Sequence, residues 1–294
     1  MTDVTDDTAR PPITPATLAS LKRRAQPIVM ATAYDFNSAS VADAAGVDVV
    51  LVGDSAAMTM LGYASTRLVS LEEMLMLTRA VRRGLTQPML VGDLPYGTYE
   101  SSNALALETA RRFVDAGCDA VKLEGGDPER VERVTALVGA GIPVMGHVGL
   151  TPQSTGLGEA YRVQGRTAEQ ALRLLAESNA LEHAGCFAIV FEAIPADVMA
   201  MLAPRISVPT IGIGAGPATD GQVLVFDDLV GLSAGKPAKF VKRYAEARSD
   251  LQAALAAYAS DVRAKRFPAP NHGYSVNPAE LDVLRSELEQ EKQG

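Results

Sequence analysis

One layout of residues recurs four times along the chain: the end of an alanine-rich helix, a glycine, a short apolar run and then a polar side chain. Glycine just past a helix is the usual left-handed cap, and a continuous apolar run suits a parallel strand buried on both faces. The layout therefore indicates successive βα units of one architecture. The four copies are AAGVDVVLVGD (44–54), DAGCDAVKLEG (115–125), GAGIPVMGHVG (139–149) and HAGCFAIVFEA (183–193).

Extended over the whole chain, the pattern predicts eight strands that alternate with helices. The units span about 210 residues, which is close to the roughly 250 typical of a (β/α)₈ TIM barrel. A doubly wound sheet is the alternative, although it usually has fewer strands. The predicted strands are 28–33, 48–53, 89–92, 119–124, 143–147, 187–191, 209–213 and 228–232. The predicted helices are 36–45, 71–84, 102–116, 128–139, 167–184 and 195–203.

The remaining segments set the predicted domain organisation. Residues 1–20 begin with the acidic stretch MTDVTDDTARPP and are predicted to be a disordered arm. Residues 21–272 are predicted to form a single catalytic domain that includes a long amphipathic helix over 238–265. Residues 273–294 read as a polar extension that carries a capped terminal helix.

Composition excludes several classes of function. The net charge is −8 and the chain has no tryptophan, which argues against a nucleic-acid surface. No apolar run is long enough for a membrane span. Two cysteines supply neither a disulfide framework nor a metal site, so a reducing cytoplasm is expected. A small molecule is the expected partner.

Polar residues end several of the predicted strands. In a (β/α)₈ barrel the active site lies at the C-terminal ends of the strands, so these side chains are expected to meet at one rim. Lys122 lies two residues before an acid, and residues two apart on a strand share a face. The residues at the strand ends are Asp54, Asp93, Glu124, Glu192 and His147.

Most of these residues also have an ordinary structural explanation. Asp54 and Asp93, taken singly, are more often caps of the following helix. Lys122 can form a salt bridge with a neighbouring acid, and a lone histidine such as His147 is more often a core residue. One shared site becomes the better hypothesis because all of them converge on the same rim.

Carboxylates with little histidine and no cysteine favour a hard cation such as Mg²⁺, which keeps open positions for a chelating substrate. A 2-oxo acid chelates through its carboxylate and ketone, and the metal stabilises the enolate formed when a proton leaves C3. A further acid with a raised pKa can take that proton, and Glu192 is chosen because it is the poorest cap. Lys122 can hold the substrate's negative charge.

The motifs carrying these residues closely resemble those of the ketopantoate hydroxymethyltransferase (3-methyl-2-oxobutanoate hydroxymethyltransferase) family. The resemblance covers residues 27–272 and is spread over long, ordered motifs. They are TAYDFNSA (32–39), LVGDS (51–55), DLPYGTYE (93–100), VKLEGG (121–126), PVMGHVGLTPQS (143–154), YRVQGR (161–166), VPTIGIGAG (208–216), TDGQVLV (219–225) and KPAKFVKRY (236–244).

The resemblance implies a (β/α)₈ barrel that transfers a one-carbon unit from 5,10-methylenetetrahydrofolate to 3-methyl-2-oxobutanoate. The product is 2-dehydropantoate, on the route to pantothenate and coenzyme A. Members are homo-oligomers, often decamers. The implied roles are Mg²⁺ ligation by Asp54, Asp93 and Glu124, substrate binding by Asp54, Ser55, Asp93, Lys122 and His147, and proton abstraction by Glu192.

The sequence departs from the family pattern in two loops, 63–70 with Ala64 and Leu68, and 155–160. Both are positions where lids and second-substrate contacts occur, so the folate contacts stay open. Arg162 and Arg166 fit either a folate glutamate or solvated loop charges. Three rival functions stay open: a Mg²⁺-dependent lyase or mutase of another 2-oxo acid, a Schiff-base aldolase using Lys122, and a non-catalytic barrel.

Overall fold

The protein is represented by a computed structural model that describes residues 11–154 and 162–291. The altered loop at 155–160 therefore lies outside the described residues. The chain divides into two compact units, 1–245 and 246–294.

The first unit is a closed barrel of parallel strands, which confirms the predicted fold. Each strand pairs with the next along the chain, and the last pairs with the first. The short apolar segments form strands because both of their faces are covered, one by the barrel interior and one by helices. The strands are β1 Ile28–Thr32, β2 Val49–Val52, β3 Met89–Asp93, β4 Ala120–Lys122, β5 Val144–Gly149, β6 Ala188–Glu192, β7 Thr210–Ile213 and β8 Gly221–Leu224.

Helices follow the strands, and several begin at a side-chain cap. Asp35, Ser70 and Asp127 each accept backbone N–H groups of the first turn, which satisfies donors that have no partner inside the helix. Short 3₁₀ segments occur at Thr66–Leu68, Pro152–Ser154, Ala203–Arg205 and Pro270–His272. The α-helices are α1 Pro15–Arg23, α2 Phe36–Ala44, α3 Ala56–Thr59, α4 Leu71–Arg83, α5 Asn103–Asp115, α6 Pro128–Gly139, α7 Ala168–His183, α8 Ala196–Leu202, α9 Phe226–Leu229, α10 Ala247–Arg263 and α11 Pro278–Glu291.

The apolar core has two parts. The larger part joins strand residues such as Val50 and Phe191 to the helices that pack outside the barrel. The smaller part consists of the alternate strand residues, which places it inside the barrel. Leu18 of α1 is fully buried in this inner part, so α1 packs against the start of the barrel. The inner part contains Leu18, Ile28, Met30, Val49, Leu51, Met89, Val91, Ala120, Met145, Ala188, Val190, Ile211 and Val223.

Two element predictions are wrong. The eighth strand is Gly221–Leu224 and not 228–232, because α9 occupies Phe226–Leu229. The strand GQVL contains only two apolar residues, so its hydrophobic signal is weaker than that of the following segment. The helix predicted over 238–265 begins only at Ala247, since the chain before it follows an irregular path.

The prediction of a disordered arm over 1–20 is wrong for residues 15–20, which belong to α1. Thr14 and Thr17 form a reciprocal capping box, Pro15 fits the first helical turn, and Leu18 is buried. These three features stabilise α1, which covers residues 15–23.

The second unit, 246–294, contains α10 and α11. A boundary is predicted after residue 272, whereas the chain divides after Ala245. Neither helix has a buried residue within the described range, which explains why the division falls before α10. No helix in the part of the chain that the structure describes has the length and apolar character needed to cross a membrane.

Substitution of Gly92 in β3 tests the packing between the barrel and the helices. A Cβ atom at Gly92 would lie 2.4 Å from Cδ1 of Phe113 and 2.7 Å from Sγ of Cys118, both buried. Overpacking of this kind costs about 1–3 kcal/mol, so Gly92→Ala should lower the free energy of unfolding by that amount in urea titrations. Gly139→Ala is the control, because a Cβ there contacts nothing within 4 Å. Equal stability of the two variants would contradict the packing described here.

Candidate active site

The seven predicted site residues all line one cavity of about 790 Å³ at the C-terminal end of the barrel. The alternation of strand residues explains this convergence. Lys122, His147 and Glu192 lie two residues after interior-facing Ala120, Met145 and Val190, so their side chains also point inward. The seven residues are Asp54, Ser55, Asp93, Lys122, Glu124, His147 and Glu192.

Lys122 and Asp93 form a buried ion pair at the centre of the cluster. The Nζ atom of Lys122 donates to both carboxylate oxygens of Asp93 at 2.8 Å, and Nζ lies 4.0 Å from Oε1 of Glu124. The backbone N–H of Asp54 also donates to Asp93, at 3.3 Å. The salt bridge considered for Lys122 is therefore present, and Lys122 and Glu124 share a face as predicted.

His147 lies between two acids. Its Nδ1 is 3.3 Å from Oε1 of Glu124, and its Nε2 is 3.3 Å from Oε2 of Glu192. Neither contact has the alignment of a hydrogen bond, so both buried ring nitrogens have charged neighbours without a directed bond. The side chain of Glu192 keeps 18% of its surface exposed. Glu192 is therefore partly exposed, unlike the buried Asp54, Asp93 and Glu124.

Burial and mutual repulsion dominate the electrostatics. Burial, followed by the charges of Asp93 and Glu124, raises the pKa of Asp54 to about 8. Burial would lower the pKa of Lys122, but Asp93, Glu124 and Asp54 outweigh it and raise that pKa. Burial likewise opposes a charged His147, yet its two acidic neighbours raise its pKa to about 9.

The remaining acids respond in different directions. Burial raises the pKa of Asp93 although Lys122 opposes the shift. Burial also acts to raise the pKa of Glu124, but His147 and Lys122 outweigh it and lower the pKa. Because the pKa of Lys122 is raised, the proton of the Lys122–Asp93 pair resides on the lysine.

The capping alternative for Asp54 and Asp93 is wrong. The side chain of Asp54 accepts from Nε2 of Gln153, and that of Asp93 accepts from Lys122 and Asp54. Helix α3 begins at Ala56, and its N-cap residue Ser55 makes no capping hydrogen bond through its side chain. Ser55 instead pairs with the hydroxyl of Tyr34 at 2.8 Å, so its Oγ is held at the cavity wall.

Sequence reasoning missed Gln153 and Tyr99, which are buried beside the acids. The hydroxyl of Tyr99 donates to Oε1 of Gln153 at 2.7 Å. Both residues lie in motifs that the resemblance singled out, DLPYGTYE and PVMGHVGLTPQS. Neither follows a strand directly, so the pattern of polar residues at strand ends does not include them.

Gly149 brings β5 and β6 together next to Glu192. Its φ is +99°, and a Cβ atom there would lie 2.3 Å from the backbone oxygen of Glu192. The following residue, Leu150, donates its N–H to the same oxygen at 2.9 Å. The backbone of Glu192 is thus fixed by a close approach that only glycine permits.

The residues fit a hard divalent cation by their chemistry. Three buried carboxylates share the cavity, and burial together with the neighbouring charges of Asp93 and Glu124 raises the pKa of Asp54. Within the described residues no group of three or more acid, histidine or cysteine side chains is already arranged as a metal cluster. A cation that takes one or two carboxylates and keeps its waters, as Mg²⁺ does, matches this arrangement.

The fold and the site define the chain as a (β/α)₈-barrel enzyme with an acid-rich active site. The family model for ketopantoate hydroxymethyltransferase matches residues 12–270. The chain belongs to this family, and the predicted resemblance and enzyme class are confirmed.

Curated relatives agree with this assignment. The 3-methyl-2-oxobutanoate hydroxymethyltransferase of Shouchella clausii (strain KSM-K16) is 49% identical over 90% of this chain and 95% of its own length. The mitochondrial 3-methyl-2-oxobutanoate hydroxymethyltransferase 1 of Arabidopsis thaliana is 47% identical over 91% of this chain and 79% of its own length.

Solved structures with low sequence identity share the fold. Phosphonopyruvate hydrolase, in a complex with oxalate and Mg²⁺, superposes with a TM-score of 0.59 at 14% identity and covers 95% of this chain and 97% of its own. 2,3-Dimethylmalate lyase superposes with a TM-score of 0.55 at 17% identity and covers 96% and 99%. Both likenesses concern the barrel alone.

Lys122→Met tests the buried ion pair. Loss of the ammonium leaves Asp93 buried without its partner, which typically costs about 3–5 kcal/mol. We expect a loss of this size in the free energy of unfolding at pH 7, measured by urea titration. Lys22→Met is the matched control, because its salt bridge with Asp220 is partly exposed and should contribute about 1 kcal/mol or less. Similar losses in both variants would contradict the proposed contribution of the Lys122–Asp93 pair to the free energy of unfolding.

The pH dependence of stability tests the burial of the Asp227 carboxyl group in α9. Burial raises its pKa, although Thr59 opposes the shift, and Oδ2 has no hydrogen-bond partner among the described residues. The folded state therefore binds its proton more tightly than the unfolded state, and stability falls as pH rises from the ordinary value through the raised one. Asp227→Asn should remove this fall, so its advantage over the wild type should grow as the pH rises above the ordinary carboxylate pKa of about 4.

Melting curves across this pH range measure the effect. The exposed Asp115→Asn is the control, because its carboxylate is in solvent in the folded protein. A constant difference between Asp227→Asn and the wild type at all pH values would contradict the predicted linkage.

Proposed function

We propose that the protein transfers a hydroxymethyl unit from 5,10-methylenetetrahydrofolate to C3 of 3-methyl-2-oxobutanoate and so forms 2-dehydropantoate for pantothenate synthesis. The observation that carries the proposal is the convergence of three buried acids on one cavity, with a fourth, less buried acid beside them. Family membership at 43–49% identity to curated relatives supports the reaction class.

A divalent cation, Mg²⁺, is proposed to be held by Asp54 and Asp93, with Glu124 completing the site. The neighbouring ends of β2 and β3 support this choice, since the backbone N–H of Asp54 already contacts the carboxylate of Asp93. When bound, Mg²⁺ supplies Lewis-acid polarisation of the substrate's ketone.

Glu192 is proposed to remove the proton from C3. It is the most exposed of the four acids, so it can reach a substrate in the cavity. Breaking the C3–H bond leaves an electron pair that forms the new bond to the one-carbon unit. Water supplies the oxygen of the new hydroxyl group, and tetrahydrofolate leaves. The imidazole of His147 lies between the carboxylates of Glu192 and Glu124, where its positive charge reduces their mutual repulsion.

Lys122 and Ser55 are proposed to bind the oxo acid. Lys122 carries a positive charge because three acids raise its pKa, and it therefore suits an anionic substrate. Ser55 lines the cavity with a hydroxyl oriented by Tyr34.

The same cavity has room for the folate. Its volume of about 790 Å³ is in the range of sites for drug-sized ligands, whereas the oxo acid is far smaller. Arg162, Lys239 and Phe240 line the cavity together with small apolar residues. Phe240 packs against Gly214, where a Cβ would come within 2.6 Å of the ring. This arrangement supports binding of the folate's aromatic ring near Phe240 and of its glutamate carboxylate near the side chains of Arg162 and Lys239.

The rival functions are less well supported. A Schiff-base aldolase needs a neutral lysine, but the raised pKa of Lys122 keeps it protonated. The hydrolase and lyase structures share only 14–17% identity with the chain, far below the transferase relatives. The homo-oligomeric assembly, often a decamer in the family, and the cytoplasmic location stay proposals.

Glu192→Gln tests the proposed base. Removal of a general base lowers turnover by roughly 10²–10⁴-fold. We expect that loss in formation of 2-dehydropantoate from 3-methyl-2-oxobutanoate and 5,10-methylenetetrahydrofolate, measured in a coupled assay. The exposed Glu108→Gln should keep wild-type turnover. Full activity in Glu192→Gln would reject the base, and absence of product with the wild type would reject the reaction.

Mg²⁺ should stabilise the protein because it binds the folded state and relieves repulsion among the acids. A cation at 100 times its dissociation constant adds about 2.7 kcal/mol. The melting temperature should therefore rise with Mg²⁺ and return to the apo value with EDTA. The double variant Asp54→Asn/Asp93→Asn should show no rise. Identical midpoints with Mg²⁺ and EDTA in the wild type would contradict the proposed site.

A further inference from the structure

Gln153 lies in the 3₁₀ segment Pro152–Ser154 that follows β5, and it is 2% exposed. It has no assigned role in the reaction. Its side chain donates a hydrogen bond to Asp54 and its backbone N–H donates one to Glu124, so it contacts two acids of the cluster.

The side-chain amide of Gln153 uses its donors and its acceptor on three different partners. Nε2 donates to Oδ2 of Asp54 at 3.0 Å and to the backbone oxygen of Leu94 at 3.0 Å. Oε1 accepts from the hydroxyl of Tyr99 at 2.7 Å. A backbone carbonyl can only accept, so the amide nitrogen must face Leu94 and Asp54. The orientation of the amide is thereby fixed.

The backbone of the same residue holds a second acid. The N–H of Gln153 donates to Oε2 of Glu124 at 3.0 Å. Tyr99, which orients the amide, also accepts from the N–H of Glu124 at 3.4 Å. One buried residue therefore connects an acid that follows β2 with an acid that follows β4, across the end of β3.

The contact to Asp54 uses only one of its carboxylate oxygens. In the part of the chain that the structure describes, Oδ1 of Asp54 accepts no hydrogen bond, whereas Oδ2 accepts from Gln153. A carboxylate held through one oxygen keeps its other oxygen available to a cation while its rotamer stays fixed. Hydrogen bonds of this kind orient metal ligands, and their loss commonly costs 10–100-fold in metal affinity or activity.

We propose that Gln153 is a positioning residue for the divalent cation: its amide fixes Asp54 and its backbone N–H fixes Glu124 before the cation arrives. This inference rests on the metal site of the proposed function. Without the amide, Asp54 is free to turn away from Asp93 and Glu124, which repel it, and the cation must order it on binding.

Gln153→Met tests the inference because methionine has nearly the same shape and no amide. We expect isothermal titration of the substrate-free protein with MgCl₂, well below the melting temperature, to give a dissociation constant about tenfold or more above that of the wild type. Turnover of Gln153→Met should rise towards the wild-type kcat as Mg²⁺ is raised, because affinity for the cation is lost rather than the chemistry. Glu124 keeps its backbone hydrogen bond in this variant, so some binding should persist.

Thr78→Val is the matched control for lost stability. Thr78 is fully buried in α4, and its hydroxyl donates to the backbone oxygen of Met74 at 2.8 Å, away from the cavity. This variant should melt earlier yet bind Mg²⁺ like the wild type. If Gln153→Met binds Mg²⁺ as tightly as Thr78→Val, the positioning role is overturned. If the wild type binds no Mg²⁺, the proposed metal site fails first and the inference falls with it.

Tyr99→Phe provides a second route if Gln153→Met does not fold. It removes the hydroxyl that orients the amide but leaves Gln153 in place. We expect weaker Mg²⁺ binding than in the wild type, by a smaller factor than for Gln153→Met. Unchanged affinity in Tyr99→Phe would show that the amide needs no such orientation and would count against the proposal.

Discussion

The structure depends on how four carboxyl groups are accommodated at one end of the barrel. Burial makes each negative charge costly, and the charges repel one another. Lys122 neutralises Asp93, and His147 lies between Glu124 and Glu192. Among the described residues Asp54 has no cation of its own beside it, and its pKa rises to about 8. A fold that keeps such an arrangement sacrifices stability at this end, which is characteristic of a site selected for chemistry.

The barrel makes the arrangement possible because parallel strands end at one rim and alternate residues face inward. The interior layer of Ala120, Met145 and Val190 sets the direction in which the next inward residue of each strand points. The alternation of strand residues that builds the interior core therefore also places the polar side chains of the site. Sequence patterns capture both because the apolar residues and the polar ones share a period of two.

Most of the fold was predictable for this reason, and the failures have local causes. The first seven strands carry strong apolar runs, whereas β8 is GQVL, whose signal is weaker than that of the DDLVGL segment after it. The site residues at strand ends could be found from their position alone. Gln153 and Tyr99 could not, because they lie in loops and their contacts with the acids arise only when distant segments come together. Ser55 was predicted only from the family resemblance, and its pairing with Tyr34 is apparent only in the folded structure.

The close approach at Gly149 has a consequence for natural variation. The space that a methyl group would need at this position is filled by the carbonyl of Glu192, and the backbone has a left-handed conformation. Any larger residue would displace the carboxylate proposed to start the reaction, even though it would touch no substrate. We therefore expect descendants of this chain that keep the activity to retain glycine at position 149, whereas the exposed faces of α10 should accept many substitutions.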